Sequence, residues 1–161
     1  KQHRWLSSPL MRTRQTATGF GISDLQVVEL LQEMHWGEFE GLTLDAIEQQ
    51  IQTRKIKPPT GLHFRPPGGE SPAEVCNRLR SFLSNLSAEK AVAVTHKGVI
   101  RAAISIATGW DMEEPFNQTH HPDLKNTIDW SLPLKFKRLP GNHLRLLKTN
   151  VQEWRQHEEV E

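Results

Sequence analysis

Cysteine is scarce in this sequence: Cys76 is the only one among 161 residues. A single thiol excludes an internal disulfide framework. It points to a reducing compartment, and so to the cytoplasm. An excess of charge of either sign is missing too, with 20 Lys and Arg against 19 Asp and Glu. The resulting net charge of +1 makes no electrostatic case for nucleic acid or for an anionic membrane surface as a partner. No apolar run reaches the length of a membrane span, and no signal-peptide pattern opens the chain. Repeats and low-complexity tracts are absent. So is metal-ligand spacing. His120 and His121 are adjacent, diverge in most backbones, and have no cysteine or suitably spaced carboxylate beside them, so no metal site is expected. A chain of this length suits one domain with a sizeable core. We place it at residues 1–150, with a charged, exposed tail over 151–161.

What is present is organised around Ala91-Val-Ala-Val-Thr-His-Lys-Gly-Val-Ile-Arg101. Ala91 to Val94 is a short apolar run that reads as a buried strand. Val99 to Ala107 has helical periodicity, and Gly109 ends it where a left-handed residue is wanted. Thr95, His96, Lys97 and Gly98 lie between strand and helix. In open α/β sheets ligands bind beyond the carboxyl ends of the strands, and a helix N-terminus offers free N–H groups to an anion. His96 therefore stands where a phosphate would bind, unless it only hydrogen-bonds locally.

The rest of the chain alternates in the same βα manner. His3 to Ser7 reads as a strand, followed by a helix with Ser8 as N-cap and Pro9 in its first position, running to about Thr18. Arg12 would lean back towards the strand end. If the two strands are parallel neighbours, its five-donor fork shares the sheet edge of His96; otherwise it is a solvated surface arginine. Leu25 to Leu31 reads as a short strand. The loop Glu33 to Gly41 mixes carboxylates with aromatics, and aromatic walls can raise the pKa of a carboxyl towards the range of an acid catalyst. Glu33, Glu38 and Glu40 compete for that role. Trp36, Phe39 and Phe64 either suit a substrate with an apolar body or are packing. Thr43 caps a helix to about Gln52, and residues 54–65 read as an irregular, proline-rich excursion. Ser71, Pro72 and Glu74 make a capping box, with Leu79, Phe82, Leu83 and Leu86 as the apolar stripe behind it. After a loop over Trp110 to Asn126, two strands over Asp129–Arg138 and Asn142–Leu147 flank a Pro140-Gly141 turn.

Four stretches, in order, resemble the histidine phosphatase superfamily, the phosphoglycerate-mutase-like family. They are Ser8-Pro-Leu-Met-Arg-Thr-Arg-Gln-Thr-Ala17, Glu33-Met-His-Trp-Gly-Glu-Phe-Glu-Gly-Leu-Thr43, Pro67-Gly-Gly-Glu-Ser71 and Thr95-His-Lys-Gly-Val-Ile-Arg-Ala102. Together they span most of residues 4–150. The resemblance, joined to the βα alternation, implies a three-layer α/β/α sandwich. Its sheet would be mostly parallel with an antiparallel edge. The resemblance also implies phosphoryl transfer through a phosphohistidine, with a small phosphorylated substrate and no metal or other cofactor. Arg12 matches the phosphate-clamping arginine, and His96 the second histidine that hydrogen-bonds the transferring group. Lys97 lies beside them as a further phosphate-binding candidate. Glu33 matches the general acid that protonates the leaving oxygen.

One departure qualifies the match. The family's nucleophile lies in an Arg-His-Gly motif on a central first strand, ahead of the Ser-Pro-Leu segment. Residues 1–7 hold no such tripeptide, and His3 is a poor substitute at the wrong end of its strand. Lys1 is not Met, so we expect an N-terminally incomplete phosphatase of small phosphate esters, with the chain as given inactive. The alternatives are a non-catalytic relative that binds a phosphorylated ligand or protein, and a mutase. The short segment from Trp36 to Gly69 favours hydrolysis over transfer between substrate positions. Without the first strand, the sheet would leave an open edge beside the His96 strand, and such edges invite aggregation or pairing with another chain, a homodimer among them.

Overall fold

The computed structural model describes residues 3–56, 60–87, 90–117 and 128–151. Strand β1 is Arg4–Ser7, and helix α1 is Met11–Gly19. The helix starts later than the Ser8-Pro9 pair predicts. Leu10 is its N-cap, because the Ser8 hydroxyl accepts from the Leu10 amide at 3.3 Å and is spent elsewhere. Strand β2 covers only Leu25–Val27, and Glu29–Leu31 forms a 3-10 turn instead of extending it. Helices α2 (Leu44–Arg54) and α3 (Pro72–Asn85) follow. Strand β3 (Ala91–Val94), helix α4 (Lys97–Thr108) and the hairpin strands β4 (Lys135–Leu139) and β5 (His143–Lys148) complete the order. Residues 129–134 stay outside β4. Asp129 folds them into a turn by accepting from both the amide and the hydroxyl of Ser131.

Three strands form a parallel sheet in the order β2-β1-β3, with Ser7 in register with Val94 and with Val27. If the crossovers take the usual right hand, the reversal of direction from β1–β2 to β2–β3 puts α1 and α3 on opposite faces. The expected α/β class holds, with a parallel sheet and an antiparallel hairpin. The hairpin does not extend the parallel sheet, however: it is a separate two-stranded sheet, and β5 packs on α4. Among the described residues no strand pairs with the outer edge of β3. That strand is therefore not the buried one its apolar run predicts: Ala91 and Ala93 are exposed, and Val92 and Val94 half-buried.

The main core lies between the sheet and the α3–α4 layer, with Leu6, Leu31, Val75, Leu79, Val99 and Ala102 at its centre. Side chains of Leu, Val or Phe size each stabilise the fold by about 1.5–3 kcal/mol when fully buried. Phe39 and Phe64 close a smaller core with Ile47, each under 5% exposed, and Trp36 stacks at a tilt on Phe64 with centroids 6.5 Å apart. Phe39 and Phe64 are thus core packing, while Trp36 is half-buried beside them.

The two glycine-bearing loops touch along their backbones. Gly37 has φ +58°, and a Cβ there would lie 2.0 Å from the Pro67 carbonyl oxygen and 2.5 Å from the Gly69 nitrogen. Glu38 N–H donates to the Pro67 carbonyl and Glu70 N–H to that of His35. The glycines thus serve to zip the Glu33 loop onto the start of α3. That start is the predicted capping box: Glu74 N–H donates to Ser71 Oγ, and Glu74 Oε2 accepts from the Ser71 amide at 2.8 Å. Ser71→Ala is expected to lower stability by about 1 kcal/mol. It should appear as a lower urea midpoint with an unchanged m-value, and an unmoved midpoint would contradict the box.

Candidate active site

Parallel pairing of β1 with β3 places the C-terminal ends of both strands side by side. Each strand then delivers one functional turn, Ser8 to Arg12 from β1 and Thr95 to Gly98 from β3. Arg12 Nε donates to His96 Nδ1 at 3.2 Å, as the parallel arrangement predicts. His96 Nε2 lies 2.7 Å from Ser8 Oγ. Since Nδ1 is the acceptor, the neutral ring carries its proton on Nε2 and donates it to Ser8. His96 is 6% exposed. Burial first, then the Arg12 and Arg78 guanidinium charges, lowers its pKa to about 4. The ring is thus a fixed neutral N–H donor at neutral pH. It is not poised to take a proton from Ser8, which excludes a serine-nucleophile reading. His96 has its side chain free of capping duty, and its carbonyl accepts from Ile100 N–H at the start of α4.

The sequence places an anion at the N-terminus of α4, and the fold supplies one from the chain itself. Glu33 Oε1 accepts from Gly98 N–H at 3.1 Å and from its own neighbour Met34 N–H at 2.8 Å. Its recorded carboxylate contacts are these backbone amides, not the aromatic walls that the loop composition suggests. Gly98 is required by this approach, because a Cβ would lie 2.3 Å from Glu33 Oε1. The other two candidate carboxylates are engaged elsewhere. Glu38 pairs with Arg54, and Glu40 accepts from the Trp36 amide at 2.8 Å.

Of the four expected site residues, the structure brings Arg12, His96 and Glu33 to one place. Lys97 shares the turn, but its ammonium lies 5.2 Å from the centre of the Trp130 ring, a cation–π arrangement. Two residues escape sequence reasoning. Ser8, taken for a helix cap, is the hydrogen-bond partner of His96. Arg78 donates to both carboxylate oxygens of Glu70, at 2.8 and 3.1 Å, and to the Leu30 carbonyl at 2.6 Å. One signal could have found it. Arg78 stands three residues from Val75 and four from Phe82, a charged residue on the apolar stripe of α3.

Arg12 is exposed, and among the described residues its two terminal nitrogens have no partner. With His96 Nε2 they form a set of donors suited to phosphoryl oxygens. Among the described residues no group of three His, Cys, Asp or Glu side chains could hold a metal ion. His120 and His121 lie outside the described residues, as does nearly all of the 151–161 tail. No described helix is long and apolar enough to cross a membrane.

Comparison with known proteins identifies relatives of the chain. The chain is similar to the protein TTHB049 of Thermus thermophilus, with 37% identity over 67% of this chain and 60% of that one, at a TM-score of 0.50. It is also similar to a phosphoglycerate mutase from the same organism, with 36% identity over 71% of this chain and 63% of that one, again at 0.50. A mycobacterial glucosyl-3-phosphoglycerate phosphatase, solved with inorganic phosphate, shares the fold at a TM-score of 0.67. It has 21% identity over 94% of this chain and 78% of that one. The chain therefore spans about 60% of the length of the first of these relatives. No curated protein matches it significantly. The family model for the histidine phosphatase superfamily, branch 1, matches residues 1–131, and the chain belongs to that superfamily.

Proposed function

We propose that this chain carries the phosphate-binding half of a phosphoryl-transfer site, and that the complete enzyme hydrolyses small phosphate monoesters through a phosphohistidine. The observation that carries the reading is the meeting of Arg12, His96 and the Glu33-bearing loop at the carboxyl ends of two parallel strands. Arg12 would clamp the phosphoryl oxygens, and His96 Nε2–H would donate to them in place of Ser8. Such donors, fixed before the reaction, stabilise charge as it develops on the transferring group. Glu33, released from Gly98, would protonate the leaving oxygen. The freed Gly98 amide would then add a donor at the α4 N-terminus.

Among the described residues no nucleophile stands at this site. Nδ1 of His96 accepts from Arg12 and Nε2 carries the proton, so the ring has no free lone pair to attack phosphorus. The open edge of β3, next to this site, is where a further strand would bring a second histidine. A nucleophilic imidazole would split one displacement into two easier steps.

A binding reading is favoured by one specific feature. Glu33 is bound to the amide that a phosphate would use, and the described site holds donors without a nucleophile. In that case the chain recognises a phosphorylated ligand without turning it over. The two are separated on the protein isolated from its natural source and stripped with a chelator, with its intact mass measured on the same sample. Release of phosphate from an aryl phosphate, blocked by orthovanadate, is the expected result. No release, together with a rise in melting temperature in millimolar phosphate, would overturn hydrolysis in favour of binding. The comparisons include a mutase as well as a phosphatase. Transfer between positions of a phosphoglycerate is therefore the product to look for alongside free phosphate.

A further inference from the structure

Four contacts hold the loop that carries Glu33. Thr95 Oγ1 donates to the Leu31 carbonyl at 2.7 Å. Arg78 Nη1 donates to the Leu30 carbonyl at 2.6 Å. Beyond Glu33, the His35 amide donates to Glu70 Oε2 at 3.4 Å, and the His35 carbonyl accepts from Glu70 N–H at 2.8 Å. Glu70 in turn accepts from the other two nitrogens of the Arg78 fork, Nε and Nη2. A single guanidinium therefore reaches the loop before Glu33 through Leu30, and after it through Glu70 and His35. The ion pair is largely enclosed, at 18% and 20% exposure. Its energy is thus less screened than that of a surface pair, and its geometry is bidentate.

We infer that Arg78, with Glu70, is a positioning residue: it sets the place of the Glu33 carboxylate at the Gly98 amide from both flanks of the loop. The inference rests on the reading of Glu33 as a functional group of the site. It does not require that the chain turn over a substrate. A side chain that acts in proton transfer must be held to a fraction of an ångström by groups that are themselves locked. Thr95 grips the Leu31 side only, whereas the Arg78–Glu70 pair reaches backbone groups on both flanks. Arg78 is suited to the task because its planar fork can serve a carboxylate and a carbonyl at once, which a lysine ammonium cannot do with the same rigidity.

The Gly98 amide reports on the contact directly. Its resonance and its hydrogen-exchange rate can be followed by NMR in the 161-residue chain. The Glu33→Gln variant marks the weakened contact, and Arg80→Met serves as a control on the exposed face of the same helix. Arg78→Met is expected to move the Gly98 resonance towards its Glu33→Gln position. It should also speed Gly98 exchange at least tenfold more than the exchange of Ala102 and Ile104 in the same helix. Arg78→Lys should recover part of the effect, and Arg80→Met should cause none. A Gly98 signal at the wild-type position and rate in a folded Arg78→Met would overturn the inference. So would acceleration shared equally by all α4 amides, which would mark a merely structural role. Should Arg78→Met fail to fold, Glu70→Gln tests the same clamp, with the same two outcomes deciding. Orthovanadate binding by the wild-type chain is a separate measurement. Its absence would count against the phosphoryl-transfer reading and leave the Gly98 result intact.

Discussion

Arg12→Ala is expected to weaken binding of orthovanadate or inorganic phosphate at least 100-fold, the largest effect of any single change at this site. The geometry shows why. Arg12 divides its donors between two tasks, with Nε on His96 Nδ1 and the terminal nitrogens open to a ligand. Truncation removes a charge-assisted, bidentate contact, and a loss of about 2–5 kcal/mol is typical for a partner of this kind. A factor of 100 corresponds to about 2.7 kcal/mol. Truncation also frees Nδ1, so the imidazole loses the contact that selects its tautomer, and Nε2 is no longer bound to be the donor. Arg12→Lys should restore little. An ammonium keeps the charge but cannot hold Nδ1 and a phosphoryl oxygen in one plane. The measurement is the ligand-dependent rise in melting temperature across a vanadate titration, compared among wild type, Arg12→Ala and Arg12→Lys. Retention of wild-type affinity by Arg12→Ala would remove Arg12 from the site.

Much of the framework around this site is legible in the sequence because its parts are local. Gly109 ends α4 with φ +77°, Ser71 and Glu74 make their box, and Thr43 caps α2 with a bond from Ala46 N–H. Each depends on residues a few positions apart, where stereochemistry leaves little choice. The errors fall where a side chain has a distant rival partner. Ser8 has every local mark of an N-cap, yet its hydroxyl faces His96, 88 residues away. Val28 to Leu31 has the composition of a strand, yet Leu30 and Leu31 carbonyls are claimed by Arg78 and Thr95 rather than by a ladder. Glu33 sits among aromatics in sequence, but those aromatics turn away into a core of their own. The apolar run of β3 reads as fully buried because burial depends on what covers a strand, and the run itself carries no such information.

Acidification from pH 7 towards 4 is expected to cost the fold about 3 kcal/mol through His96 alone. The sign follows from which state takes the proton first. In the unfolded chain the ring titrates near its ordinary 6.5. In the folded chain burial, followed by the Arg12 and Arg78 charges, holds it at about 4. Between those values the unfolded state binds one more proton, so stability falls as pH falls, by about 1.4 kcal/mol per pH unit. Above pH 7 the ring is neutral in both states and contributes no slope. Below 4 it is charged in both, and the loss is complete. Glu74 and Asp129 push in the same direction, since hydrogen bonds from Ser71 and from Ser131 hold their carboxyls below the usual carboxylate range. Their contributions fade at more acidic pH than that of His96, so the span from about 6.5 to 5 is dominated by the histidine. Urea unfolding of wild type and His96→Gln at several pH values across that interval tests the claim. The wild type should lose about 2 kcal/mol more than the variant over that span, and parallel curves would mean that His96 is not held neutral. A bound phosphate changes the outcome in a way that ties stability to function. Its negative charge beside Nε2 favours the protonated ring and raises the folded pKa towards 6.5, narrowing the window. Saturating phosphate should therefore shrink the extra acid loss of the wild type over His96→Gln, both measured in the same buffer so that the ligand's own titration is common to the two.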